Sequence, residues 1–276
     1  MILRIGGLPL HVLREGRGPV CVLSSGLGGC WFDWDLVVPL LAPHRTVVRF
    51  DRPGYGLSAP SAEPPNLAGE ADRIAQVLTA LGLTGPCTVV GHSLAAFHVE
   101  AFARLYPERT AGLVLLDASV ESRPRPAPAR ELRDRAARAA AAVLTAAALP
   151  YLCGPVTRRA AVRVASVRGR EAVAAALVRR CYRPGRVLRS VLRENTAYLD
   201  TAAELVALRA RRPLPDTRVA VVAADRRGAA AGPARQRELA ALLGGEFRTA
   251  GPAGHLLMLD RPAEVAAAIL GEPADR

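Results

Sequence analysis

Apolar positions along the chain switch between two periods, and the switches mark the elements. Residues 2–14 alternate around Gly6-Gly7-Leu8-Pro9, which predicts a hairpin. Val20–Ser24 and Thr46–Phe50 are short apolar runs with β-branched residues, and each predicts a buried strand. Between them, Asp33–Leu41 predicts a short helix. Ala68–Leu81 sets Ala71, Ile74, Ala75, Leu78 and Leu81 at helical spacing, with Gly82 at its end as a C-cap. Cys87–Val90 reads as a strand, Ser93–Leu105 as a helix stopped by Tyr106-Pro107, and Gly112–Leu116 as a strand.

The rhythm then breaks. A Pro- and Arg-rich linker, 121–128, leads into Ala- and Arg-rich helical segments interrupted at Pro150, Gly154-Pro155, Pro184-Gly185 and Pro213. No strand is evident there. The alternation resumes with strand Arg218–Ala223, helix Ala234–Leu243, strand Glu246–Thr249 and helix Pro262–Leu270. Strands alternating with helices at these lengths predict a mostly parallel sheet covered on both faces. Residues 1–118 and 216–276 are therefore read as one α/β core, and 119–215 as an inserted helical subdomain. A chain of 276 residues, half of them hydrophobic, is long enough for both.

Charge changes the picture little. The net charge is +12, and the chain contains no lysine. Between Glu121 and Arg212 there are 20 arginines against 7 acidic residues, while the remainder has 17 against 18, so the basic excess belongs to the inserted segment. Arginine replacing lysine on a solvated helical surface accounts for this more simply than arginines steering an anionic substrate. No aromatic-interleaved basic patch suggests nucleic acid. The five cysteines are scattered, with no C-x-x-C pair, so neither a zinc site nor a disulfide scaffold is expected. The first residues supply no signal-peptide apolar region, and the run Ala136–Leu149 is interrupted by Arg138 and ended by Pro150. The expectation is a cytoplasmic protein without a membrane span.

The sharpest chemical signal is Cys87-Thr88-Val89-Val90-Gly91-His92-Ser93-Leu94-Ala95-Ala96. An apolar strand runs into Gly-His-Ser and a helix begins at once. A serine on so tight a turn is exposed at the carboxyl end of the sheet, beside free N–H groups at the helix N-terminus. The ordinary alternative is a serine serving only as an N-cap. His255 lies in a glycine-rich loop between the last strand and the last helix, where a general base for Ser93 is expected. His11 and His44 read as surface residues, His98 as a packing or hydrogen-bonding residue, and His92 as pointing away from the attacking face.

At these residues the chain resembles the α/β-hydrolase family over nearly its full length. Ser25-Gly26-Leu27-Gly28-Gly29 resembles the H-G-x-x-G oxyanion loop, with Ser25 in place of His. Asp51-Arg52-Pro53-Gly54-Tyr55-Gly56-Leu57-Ser58 resembles the D-x-x-G-x-G-x-S turn, read here as scaffolding. Gly91–Ala95 resembles the nucleophile turn G-x-S-x-G, with Ala95 in place of the last glycine. Gly254-His255, followed by Asp260-Arg261-Pro262, resembles the histidine segment. The resemblance implies an α/β-hydrolase fold, a mostly parallel central sheet flanked by helices, with 119–215 as an α-helical cap. It also implies an oxyanion hole from the backbone N–H groups of Leu27 and Leu94.

The acid stays open between two strand ends. Asp117 follows Leu113–Leu116, a position from which haloalkane dehalogenases take their acid. Asp225 ends the strand that usually supplies it, but the family's G-x-x-D spacing would place the acid about two residues later, at Arg227. Asp117 is preferred, with Asp225 as the alternative. A serine nucleophile argues against the family's haloalkane dehalogenases and epoxide hydrolases, which use an aspartate. A serine hydrolase of an ester or thioester is expected, with a small-molecule acyl substrate and neither metal nor organic cofactor. Amide and carbon–carbon bond hydrolysis, and a non-catalytic ligand-binding role on the same fold, are the alternatives.

Overall fold

The computed structural model describes residues 1–121, 123–225 and 231–272. In chain order the elements are β1 (Ile2–Ile5), β2 (Leu8–Gly16), β3 (Val20–Ser24), a 3₁₀ turn (Trp31–Trp34), α1 (Val38–Leu41), β4 (Thr46–Phe50), α2 (Leu67–Ala80), β5 (Cys87–His92), α3 (Ala95–Leu105) and β6 (Thr110–Leu116). Four helices follow: α4 (Arg130–Ala146), α5 (Leu149–Ala165), α6 (Ala175–Tyr182) and α7 (Gly185–Arg211). The chain returns through β7 (Arg218–Ala224), α8 (Ala231–Leu242), β8 (Glu246–Ala250), α9 (Leu257–Asp260) and α10 (Pro262–Leu270).

The eight strands form one sheet in the order β1-β2-β4-β3-β5-β6-β7-β8. β1 and β2 form the expected hairpin, closed by Gly6 and Gly7 at φ +56° and +83°, a turn that needs positive φ at both positions. From β4 to β8 every pairing is parallel. Ser24 pairs with Gly91, His92 with Leu116, Leu116 with Val222, and Ala224 with Ala250. The carboxyl ends of β3, β5, β6, β7 and β8 therefore lie along one edge, where open α/β sheets bind ligands.

Each face of the sheet is covered, as its apolar runs require. One core joins α2, α3 and α8 to the strands through residues such as Ile74, Leu78, Val99, Phe102 and Leu239. The other joins Trp34, Val38, Leu41, Met258 and Ile269. The C-terminal half of α7 belongs to the first core: Ala202, Leu205 and Leu208 pack there, and Arg209 binds Glu100 of α3 at 2.6 Å. No single helix among the described residues is long and apolar enough to cross a membrane.

One element departs from expectation. Asp33–Leu41 is not one helix but a 3₁₀ turn followed by a single α-helical turn. Trp31, Phe32, Asp33 and Trp34 are all buried, so no solvent face remains for an amphipathic helix. The Asp33 carboxylate accepts the Cys30 N–H at 3.0 Å and bonds Arg158 of α5 at 2.5 Å, which fixes the turn.

Candidate active site

The turn between β5 and α3 is built around small residues. A side-chain carbon on Gly91 would stand 2.5 Å from Val99 and 2.6 Å from the Ala95 carbonyl, so only glycine lets the helix fold back over the strand. Ser93 has φ +54°, a left-handed conformation that costs a non-glycine residue about 1–3 kcal/mol. Three backbone bonds hold it there: Ser93 N–H to Leu116 O at 3.0 Å, Ala96 N–H to Ser93 O at 3.0 Å and Ser119 N–H to Ser93 O at 3.1 Å. The serine stays partly exposed at the sheet edge while its neighbours His92 and Leu94 are buried. Ala95 is fully buried, and the turn forms with alanine at that position.

The loop after β3 runs against this turn. A side-chain carbon on Gly26 would lie 2.9 Å from both Ser93 Cβ and His92 Nδ1. Ser25, standing where the resembling family has histidine, ties the loop internally: its hydroxyl donates to Cys30 O and accepts from Trp34 Nε1, each at 2.9 Å. Leu27 is exposed and Leu94 is buried. Among the described residues, neither backbone N–H donates a hydrogen bond within the protein.

His255 is carried by the loop after β8. Its Nδ1 lies 2.6 Å from Asp117 Oδ2. Burial opposes the Asp117 carboxylate, but the His255 hydrogen bond and charge and the Ala224 N–H outweigh it, holding its pKa below 3.8. Asp117, like Ser93, has positive φ, at +39°. Asp225 is exposed, and among the described residues its side chain makes no hydrogen bond. Its backbone instead pins the histidine loop: Ala253 N–H donates to Asp225 O at 3.1 Å. Arg227 lies outside the described residues.

Asp260 holds the same loop from the far side, accepting from Gly254 N at 2.8 Å and from Ser166 Oγ at 2.5 Å. Gly254 packs so closely on Ala165 and Ser166, at the end of α5, that no side chain fits.

Two residues, His92 and His11, behave differently from their sequence reading. His92 does not point clear of the site. Its Nε2 donates to the His255 carbonyl at 2.8 Å, and the two rings stand 4.6 Å apart. Burial first, and His255 second, push the His92 pKa down to about 3, so the ring is neutral with its proton on Nε2. His11 is not a surface residue: it is buried, 2.9 Å from Asp51 Oδ2. That partner was the missing signal, because Asp51 also accepts from Trp31 N and Leu57 N at 3.0 Å and so organises the 51–58 turn. His98 is buried with Nδ1 unpaired among the described residues, and burial pushes its pKa well down. His44 is exposed, as expected.

Beside the 25–29 loop lies a cleft of about 500 Å³, bordered by Leu27, Gly28, Leu144, Leu149, Val187 and Val191. Its charged lining residue, Arg158, is buried and paired with Asp33 and Glu171 at 2.5 and 2.6 Å. No cluster of three or more His, Cys, Asp and Glu side chains among the described residues is arranged to hold a metal.

A family model for the alpha/beta hydrolase family matches residues 21–268. The chain belongs to this family. Mouse bifunctional epoxide hydrolase 2 is 32% identical over 114 residues, which is 40% of this chain and 20% of that protein. The chain thus matches about a fifth of that relative's length. Cfl2 from Burkholderia cenocepacia superposes with a TM-score of 0.76 at 23% identity, covering 98% of this chain and 94% of that one. The enol-lactonase from Burkholderia xenovorans LB400 superposes at 0.70 with 21% identity, covering 98% of each chain. Both structures are similar in fold.

Proposed function

We propose that this hydrolase cleaves a carboxylic ester or thioester of an uncharged, largely apolar small molecule through an acyl-enzyme on Ser93. The observation that carries this reading is His255 bonded to Asp117 at 2.6 Å, next to the turn that holds the strained, edge-exposed Ser93, whose neighbour His92 bonds the His255 carbonyl.

In this scheme Asp117 accepts the Nδ1 proton of His255 and leaves Nε2 free as a base. His255 takes the Ser93 hydroxyl proton as the oxygen attacks the acyl carbon. The N–H groups of Leu27 and Leu94 hold the oxyanion. Collapse expels the alcohol or thiol with the proton from His255, and water repeats the sequence to release the acid. Residues 119–215 act as a cap, with 1–118 and 216–276 as the core. The apolar cleft at Leu27 takes the uncharged part of the substrate, since its arginine is already neutralised. A cytoplasmic location belongs to the same proposal.

The epoxide hydrolase likeness does not redirect this reading, because the turn presents serine rather than aspartate. A panel of neutral aryl esters from short to long acyl chains tests it, with epoxides and anionic esters alongside. Neutral esters should turn over best. Ser93→Ala should lower kcat by roughly 10⁶ and Asp117→Asn by roughly 10⁴, and Asp225→Asn should stay within about threefold. No turnover of any acyl ester would sink the hydrolase reading in favour of a ligand-binding protein. Near-normal turnover in Asp117→Asn would remove Asp117 as the acid.

A further inference from the structure

Gly26 and Leu27 share one peptide plane. In a trans peptide the carbonyl and the N–H point in opposite directions. Whatever grips the Gly26 carbonyl therefore sets where the Leu27 N–H points. Arg52 does this: its Nη2 donates to Gly26 O at 2.9 Å, with Gly29 N–H on the same oxygen at 3.1 Å. Arg52 Nη1 donates to the neighbouring Ser25 carbonyl.

The guanidinium is buried, and its fork is completed by Glu194 of α7, 142 residues away in sequence. Nε meets Oε1 at 2.8 Å and Nη2 meets Oε2 at 2.9 Å. Glu194 is buried too, and the Tyr55 hydroxyl donates to its Oε2 at 2.9 Å. A buried ion pair of this kind seldom adds net stability over an apolar replacement of the same shape. Its two remaining links run to consecutive carbonyls of the oxyanion loop.

We propose that Arg52, held in place by Glu194 from the cap, aims and polarises the Leu27 N–H for the oxyanion. Both are positioning residues, and the proposal rests on the reading of Ser93 as nucleophile and Leu27 as donor. A cation hydrogen-bonded to the carbonyl oxygen draws electron density through the amide and strengthens the opposite N–H as a donor. Lysine could not substitute, because the site uses a planar fork with several fixed N–H directions.

The test compares wild-type protein with Glu194→Gln on one aryl ester and on the matching thionoester, whose sulfur is a poor hydrogen-bond acceptor. Glu194→Gln should lower kcat for the ester by about 10- to 100-fold, less than the roughly 10²–10³ of losing a donor outright. KM should hold within about twofold, as for an interaction made only in the transition state. The ester-to-thionoester rate ratio should fall with kcat, which a general loosening of the fold would not produce. Tyr55→Phe leaves the charges paired and frees Glu194 at one end. It should shift the same ratio in the same direction by about threefold, in line with one lost hydrogen bond, and it decides the matter if Glu194→Gln does not fold. An unchanged ratio in a folded variant overturns the proposal. Ester hydrolysis by the wild-type protein that survives Ser93→Ala overturns the underlying reading instead, and the proposal with it.

Discussion

His92 illustrates what a single buried side chain does between the Ser93 turn and the His255 loop. It gives one hydrogen bond to the backbone of His255 and stays neutral while it does so. Its pKa falls from 6.5 to about 3 on folding, so between those values the unfolded chain holds more protons than the folded one. The contribution is whole above 6.5 and is lost as the pH falls toward 3, at about 1.4 kcal/mol per pH unit. Asp117 acts in the same direction at lower pH, because its carboxyl is held below 3.8. His92→Gln keeps an N–H donor and removes the titration. Its unfolding free energy in urea should therefore fall less than that of the wild type between about pH 6 and pH 4.5, by roughly 1.4 kcal/mol per pH unit. Equal slopes in the two proteins would show that His92 carries no such share. The strand-to-helix turn at Ser93 and the loop that carries His255 were legible because strand-end serines and glycine-loop histidines leave local patterns. His92, His11 and Arg52 were not, since each takes its role from a partner 163, 40 or 142 residues away. Asp117 was preferred to Asp225 by only a narrow margin for a related reason: nothing local in the sequence says over which strand end the 251–256 loop folds back.

Strands and core helices follow their apolar periods closely, as β3, β4, β5 and β7 show against the runs that predicted them. The helices between β6 and β7 were harder to delimit, because Ala- and Arg-rich stretches carry little periodic signal. The starts of α4 and α5 differ from ordinary caps. Ala129 and Ala148 sit there at φ +56° and +58°, exposed, in a conformation that favours glycine. Relief of that strain should exceed the entropy glycine costs in the unfolded chain. Ala148→Gly is expected to stabilise the protein by about 0.5–1 kcal/mol, read as a raised melting temperature with unchanged kcat. A lowered melting temperature would mean that the α4–α5 corner relaxes without strain.

Across the whole molecule, the arginine excess of residues 121–212 splits into two populations. Arg158, Arg193 and Arg209 are internal links, bound to Asp33 and Glu171, Asp134, and Glu100 respectively. Others, such as Arg159 and Arg163, are exposed. Composition alone could not separate them. Arg158→Ala strands two buried carboxylates and should cost about 3–5 kcal/mol in denaturant unfolding. Arg159→Ala should change stability by less than about 0.5 kcal/mol. A small loss in Arg158→Ala would place its charge in the solvated population.

Residues 119–215 also grip the segments 25–33 and 51–58 at three points, one from each of three helices: Arg158 at Asp33, Tyr182 at Gly28 O, and Glu194 at Arg52. This fixes the unit of exchange between relatives. Residues 119–215 transplanted between relatives would arrive without these contacts unless residues 25–33 and 51–58 travelled with them. Exchanging this helical segment and preserving the loops beneath it are one design problem, and the segments that drift together over evolution should be 119–215 and those two loops.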